Sequence, residues 1–204
     1  MEAMLKSILS VTIADFGYGW TLWVFLTWIP SFLSSSYGLE LADFALFTSL
    51  ILMAGVFGDM LGGFLSDFII SRTGRVMYAR KFGIVLGLLG SLICLLPVMF
   101  VHDLTTVTIA LGASFFFLEL ANAPLWSIPM DVASKWSGSA SGLMNTGFGI
   151  AGIVSLIVFG AMVDSMGWQA PFFISVGLLI ACAVLAMVMK PRIVNANNTL
   201  GAML

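Results

Sequence analysis

Residues 62–81 read GGFLSDFIISRTGRVMYARK. Two apolar runs flank this stretch. Between them stand Arg72, Arg75, Arg80 and Lys81, four of the chain's eight lysines and arginines. Outward from here, apolar runs of about 20 residues, the length that crosses a bilayer, alternate with short polar breaks. Six spans result, at about 8–33, 43–70, 82–101, 105–128, 139–163 and 168–189. The other four cations, Lys6, Lys135, Lys190 and Arg192, then fall on the same side as the 72–81 group, and the three opposite loops hold none. Positive residues beside span ends stay in the cytoplasm. The pattern predicts a multi-pass protein of the cell (inner) membrane with both termini cytoplasmic. Each span is expected to be helical, because lipid offers backbone groups no other partner. Residues 1–192 form the six-span unit, and 193–204 a disordered cytoplasmic tail.

Composition agrees. The 204 residues are 60% hydrophobic and only 9% charged, with a mean hydropathy of +1.10, whereas a soluble domain carries about 25% charge. The cations lie in loops and form no stripe, so nucleic acid is not expected as a partner. Cys94 and Cys182 sit inside apolar runs and read as buried small hydrophobes rather than a disulfide framework. No cleavable signal peptide is evident. No metal-ligand spacing or phosphate-cradling loop appears, so neither metal nor cofactor is expected. A six-span serine protease needs a histidine beside its serine. The one histidine, His102, lies in an outer turn, while Ser139 and Ser141 lie at the inner edge. His102 cannot act as their base, and the chain is not expected to be an enzyme.

Small and polar residues inside the spans carry the rest. Gly58 and Gly62, Gly83 and Gly87, and Gly138 and Gly142 are each four apart, and Gly147, Gly149 and Gly152 crowd the fifth span. Such residues let helices pack closely in lipid. The fifth span reads either as packing alone or as a moving wall of a cavity, with Asn145 and Thr146 beside it. Within 62–81, Asp67 can accept hydrogen bonds from Arg72 or Arg75. Either this is a solvated positive loop, or it is a charge cluster that forms in one conformation and breaks in another. Asp59, two turns earlier, is expected to join it. Glu119 sits deep in the fourth span, three residues from Asn122 and near Pro124. An ionisable group at that depth costs about 2.5–3.5 kcal/mol, so it has a partner or a task. It reads as a coupling carboxylate or as a neutral acid bonded to a neighbouring helix. Tyr18 and Thr27 are nine apart on the first span and point to nearly opposite faces of an ideal helix, so Tyr18 has the better claim to a site. Asp15 is expected near Lys6 or deeper, beside Tyr18. No lysine or arginine falls in any span, so an anionic ligand needs its cation from elsewhere.

Three stretches resemble a known family. Gly63, Asp67, Arg72 and Arg75 are similar to the loop motif of the major facilitator superfamily, with a looser spacing. Residues 23–33, WVFLTWIPSFL, and 126–152, WSIPMDVASKWSGSASGLMNTGFGIAG, resemble segments of its anion:cation symporters. Ser134-Lys135 stands where an Ala-Pro or Pro-Lys is usual in the family, a modest departure. The resemblance implies an all-α membrane bundle, the C-terminal six-helix half of such a transporter, with a 3+3 inverted repeat. It further implies proton- or sodium-coupled alternating access for an organic anion, a sugar acid or aromatic carboxylate. Substrate contacts fall on Asn145, Tyr18, Asn122 and Thr27, coupling on Glu119, and the cytoplasmic gate on Gly63, Asp67, Arg72 and Arg75. Asn145 stands either at the substrate or as interhelical glue. Only the family's second half is matched. A second six-span half, on a separate chain or in a missing N-terminal half, is therefore an expected partner beside the lipid bilayer. The alternative is a half-size or truncated membrane protein without transport activity of its own, acting in regulation or assembly.

Overall fold

The computed structural model describes the backbone of residues 2–189 and the side chains of residues 8–189. The tail at 193–204, Lys190, Arg192 and the side chain of Lys6 lie outside the described residues. The described chain is helical throughout: α1 (Glu2–Tyr37), α2 (Leu41–Thr73), α3 (Val76–Leu95), a 3₁₀ turn (Leu96–Met99), α4 (Leu104–Leu120), α5 (Asn122–Val132), a 3₁₀ turn (Ser134–Trp136), α6 (Ser137–Met166) and α7 (Gln169–Val188). Six stretches are long and apolar enough to cross a membrane: Ile8–Tyr37, Leu41–Thr73, Val76–Met99, Leu104–Val132, Ser134–Met166 and Gln169–Val188. The chain is a multi-pass, all-α membrane protein.

Turn chemistry sets where the helices stop. Gly74 takes φ 68°, a left-handed conformation open to glycine, and donates its N–H to the Ile70 carbonyl to close α2. Asp103 caps α4: its carboxylate accepts from the Thr106 N–H at 2.9 Å and the Thr106 hydroxyl at 2.8 Å. Both groups favour the charged form and hold this exposed carboxyl below its ordinary value. Two boundaries differ from the sequence reading. Helix α3 begins at Val76 rather than near 82, so Arg80 and Lys81 stand on its first turns and not in a loop. The expectation that no cation lies in a span is corrected accordingly. The fourth span is two helices broken at Ala121, whose N–H turns back to the Leu118 carbonyl at 3.1 Å. Pro124 has no N–H to offer the Leu120 carbonyl, and the helix breaks there.

Packing shows the inverted repeat directly. Helix α1 packs chiefly on α6, and α4 on α2. Helix α3 packs on α4, α7 on α1, and α3 and α7 on each other. Exchange spans one to three with spans four to six, and this set of contacts maps onto itself. An odd number of spans per unit makes the two units run oppositely through the membrane. Polar ties follow the same relation: buried Trp20 donates to Ser175 at 3.1 Å between α1 and α7, and Ser91 meets Ser114 at 3.0 Å between α3 and α4. Glycines do as well. On α2, a Cβ at Gly58 would fall on the Phe116 carbonyl oxygen, and one at Gly62 on that of Leu120. On α6, Gly147, Gly152 and Gly160 lie against Thr12, Trp23 and Trp28 of α1. Helix α1 is central, with 61% of its most apolar stretch buried, whereas α2 has 22% and leaves one side open.

Candidate functional site

The break in the fourth span places the chemistry. A cavity of about 530 Å³ lies at mid-depth among α1, α2, α4, α5 and α6. Its polar lining is Tyr18, Asp59, Glu119 and Asn122. The Tyr18 hydroxyl donates to Glu119 Oε1 at 3.2 Å. The Asn122 amide donates to Asp59 Oδ1 at 3.2 Å. Each carboxylate thus has one neutral donor, and among the described residues no lysine or arginine lines the cavity. Gly55 is what lets Glu119 sit here: a Cβ on it would meet Glu119 Cγ at 2.9 Å and drive into the Phe115 ring. The apolar wall centres on Phe148, whose ring lies 6.3 Å from Tyr18, 5.8 Å from Trp23 and 6.3 Å from Trp126.

Three sequence candidates, Tyr18, Glu119 and Asn122, therefore line one space. Thr27 does not: it is exposed and absent from the lining, as its half-turn offset from Tyr18 on a continuous α1 requires. Asn145 is also outside this cavity. It lies exposed on α6, in line with Gly138, Gly142 and Gly149, where added Cβ atoms would meet nothing. Spacings of four, three and four put these residues on one face. Asp59 was expected in the charge cluster near Asp67. It belongs to the cavity instead, because eight residues of helix rise about 12 Å. Asp15 is fully buried, and neither carboxylate oxygen has a partner among the described residues.

The charge cluster exists with a different centre. Arg80 donates from Nε to Asp131 at 2.9 Å and from Nη1 to buried Ser66 at 2.8 Å, with Asp67 at 3.5 Å. Arg72 and Arg75 do not hold Asp67. Both are exposed, and the Arg72 guanidinium lies 5.3 Å over the Phe68 ring. Gly63 is half-buried on α2, where a Cβ would make ordinary contact with Ala123 at 3.6 Å. Arg80 therefore ties α2 and α3 to the end of α5. The sequence hid this because Arg80 was read as a loop residue.

A helical membrane bundle of two inverted three-span units around a mid-depth polar cavity is the architecture of a class of membrane carriers. The Major Facilitator Superfamily profile matches residues 11–201, and the chain belongs to that superfamily. It is 51% identical over 182 residues to a probable sulfoacetate transporter of Cupriavidus necator, covering 89% of this chain and 42% of that protein. It is 31% identical over 186 residues to a hexuronate transporter of Bacillus subtilis, covering 90% of this chain and 44% of that one. A probable galactarate/D-glucarate transporter of Escherichia coli is 30% identical over 184 residues, covering 89% of this chain and 40% of its own length. The chain thus spans less than half the length of these relatives.

Proposed function

We propose that this chain supplies one six-helix half of a secondary transporter for a small organic anion, with sulfoacetate the first substrate to test and sugar acids next. The carrying observation is the cavity itself: two carboxylates, Asp59 and Glu119, each held by a neutral donor at mid-depth, with no cation beside them among the described residues. An anion cannot share that low-dielectric space with two uncompensated carboxylates. It enters when a carboxylate takes up a proton or a sodium ion sits between, which ties substrate entry to a coupling ion. Glu119 is the coupling group in this reading, Tyr18 and Asn122 its positioning partners, and Asp59 the second carboxylate. A second six-span set supplies the positive charge and covers the face of α6 that carries Gly138, Gly142, Asn145 and Gly149. Small residues there permit close helix approach. Asn145 then meets substrate from that face.

The ends that carry the cations are cytoplasmic in this reading, and the membrane is the cell's inner membrane. The Arg80, Asp67 and Asp131 cluster closes that end, with Arg72 and Arg75 at its rim. The test is uptake of labelled sulfoacetate and glucuronate into proteoliposomes, with the chain alone and with a co-expressed six-span partner. Uptake in either case that needs a proton or sodium gradient supports the reading. Absence of uptake in both, together with no anion binding, overturns it in favour of a regulatory or assembly role.

A further inference from the structure

A second groove, larger than the transport cavity, lies behind the fourth span and away from that cavity. It measures about 720 Å³ and runs along α3, walled by Phe117 of α4 and Met187 of α7. No described residue lines both this groove and the cavity. Phe117 and Glu119 leave α4 on opposite sides, since two residues turn a helix by about 200°.

The groove is graded along its length. At the cation-bearing end stand Tyr78 and Lys81; beyond them come Leu86, Gly90 and Ile93, all apolar. Lys81 donates to the Met187 carbonyl at 2.6 Å, which fixes its ammonium at the mouth. An ammonium has three protons to give, and Lys81 has no carboxylate partner among the described residues. Gly90 makes the depth, because a side chain there would strike the Phe117 ring. From Lys81 to Cys94 the helix rises about 20 Å, slightly more than the roughly 15 Å that one leaflet's chains occupy. The surrounding side chains face outward: Tyr78 is 55% exposed and Ile93 65%.

We propose that this groove holds one acyl chain of an anionic phospholipid, with the headgroup phosphate on Lys81. An apolar furrow about one leaflet deep that ends in an ammonium with no carboxylate partner among the described residues matches that molecule end to end. A zwitterionic lipid fills the furrow equally well, yet it brings no net charge to the lysine. The site rests on the membrane fold alone and stands whether or not the transport reading does.

The test uses the purified chain in mild detergent, with native mass spectrometry and thermal unfolding after addition of phosphatidylglycerol or phosphatidylcholine. One phosphatidylglycerol is retained per chain, and it raises the unfolding temperature by about 2–4 °C over phosphatidylcholine. Lys81→Gln loses that difference and Lys81→Arg keeps it. Leu89→Trp, which fills the furrow, loses retention of both lipids. Equal retention of the two lipids by the parent chain, or an unchanged preference in Lys81→Gln, overturns the proposal. Soluble glycerol phosphate is expected to give no shift, and a shift equal to the lipid's would overturn the acyl-chain part.

Discussion

Arg80 makes two ion pairs of unequal worth, and a double-mutant cycle separates them. Toward Asp131 the contact is a 2.9 Å charge-assisted hydrogen bond, with side chains 13% and 23% exposed. Such bonds contribute about 1.5–3 kcal/mol. Toward Asp67 the separation is 3.5 Å and the carboxylate is 76% exposed. Exposed pairs contribute about 0–1 kcal/mol and are screened by salt. The expected coupling energies are therefore about 2 kcal/mol for Arg80 with Asp131 and under about 1 kcal/mol for Arg80 with Asp67. The four proteins of each cycle, built from Arg80→Gln, Asp131→Asn and Asp67→Asn, are melted in detergent at 50 and 500 mM salt. A cysteine placed at Ser66 in the same backgrounds reports how often this end opens, by its rate of alkylation. Loss of the Asp131 pair is expected to speed labelling about 10-fold or more, since 1.4 kcal/mol is a factor of ten. Equal couplings for the two aspartates, or a larger one for Asp67, would refute the view that Arg80 and Asp131 hold the closure.

Gly58→Val pushes a side chain onto the Phe116 carbonyl and is expected to cost about 1–3 kcal/mol, whereas Gly63→Ala, with its nearest neighbour at 3.6 Å, stays within about 0.5 kcal/mol; thermal melts of the pair decide. With a proton as the coupling ion, anion binding measured by calorimetry weakens as pH rises, by at most about tenfold per pH unit for one linked proton, whereas sodium coupling shows as a dependence on sodium instead. Glu119→Gln flattens that slope if Glu119 carries the proton, and an unchanged slope reassigns coupling to another group. Thr27→Ala, outside the cavity, leaves affinity unchanged in the same assay. The cap at Asp103 has a sign fixed by its lowered carboxyl: its stabilisation is full above the ordinary aspartate range and is lost as pH falls through the lowered value. Hydrogen exchange at the Thr106 amide should therefore quicken in Asp103→Ala at neutral pH, and the difference from the parent chain should shrink in acid.

The spans were legible because hydropathy and cation placement act locally, residue by residue. The offset between Tyr18 and Thr27 was legible as well, since nine residues of continuous helix turn through two and a half turns. The start of α3 was not. Arg80 and Lys81 look like loop residues, yet long stems let each head reach a partner, Asp131 or the Met187 carbonyl, from a helix. Asp59 was misplaced although the signal was present, as helical rise alone sets it some 12 Å from Asp67. The pairing of Asn122 with Asp59 across 63 positions, and the Phe148 hub, needed the packed structure.

The α2–α4 seam has a mechanical consequence. At Gly58 and Gly62 the main chain of α4 lies directly on that of α2, while at Gly55 the Phe115 ring and Glu119 of α4 fill the gap. Meshed side chains resist sliding, because each must climb over its neighbour; a seam of bare peptide resists only being pulled apart. The stretch at Gly58 and Gly62 therefore offers fewer side-chain steps against sliding than a fully meshed joint would. The Arg80 cluster at one end ties the same helix, α2, to α3 and the end of α5.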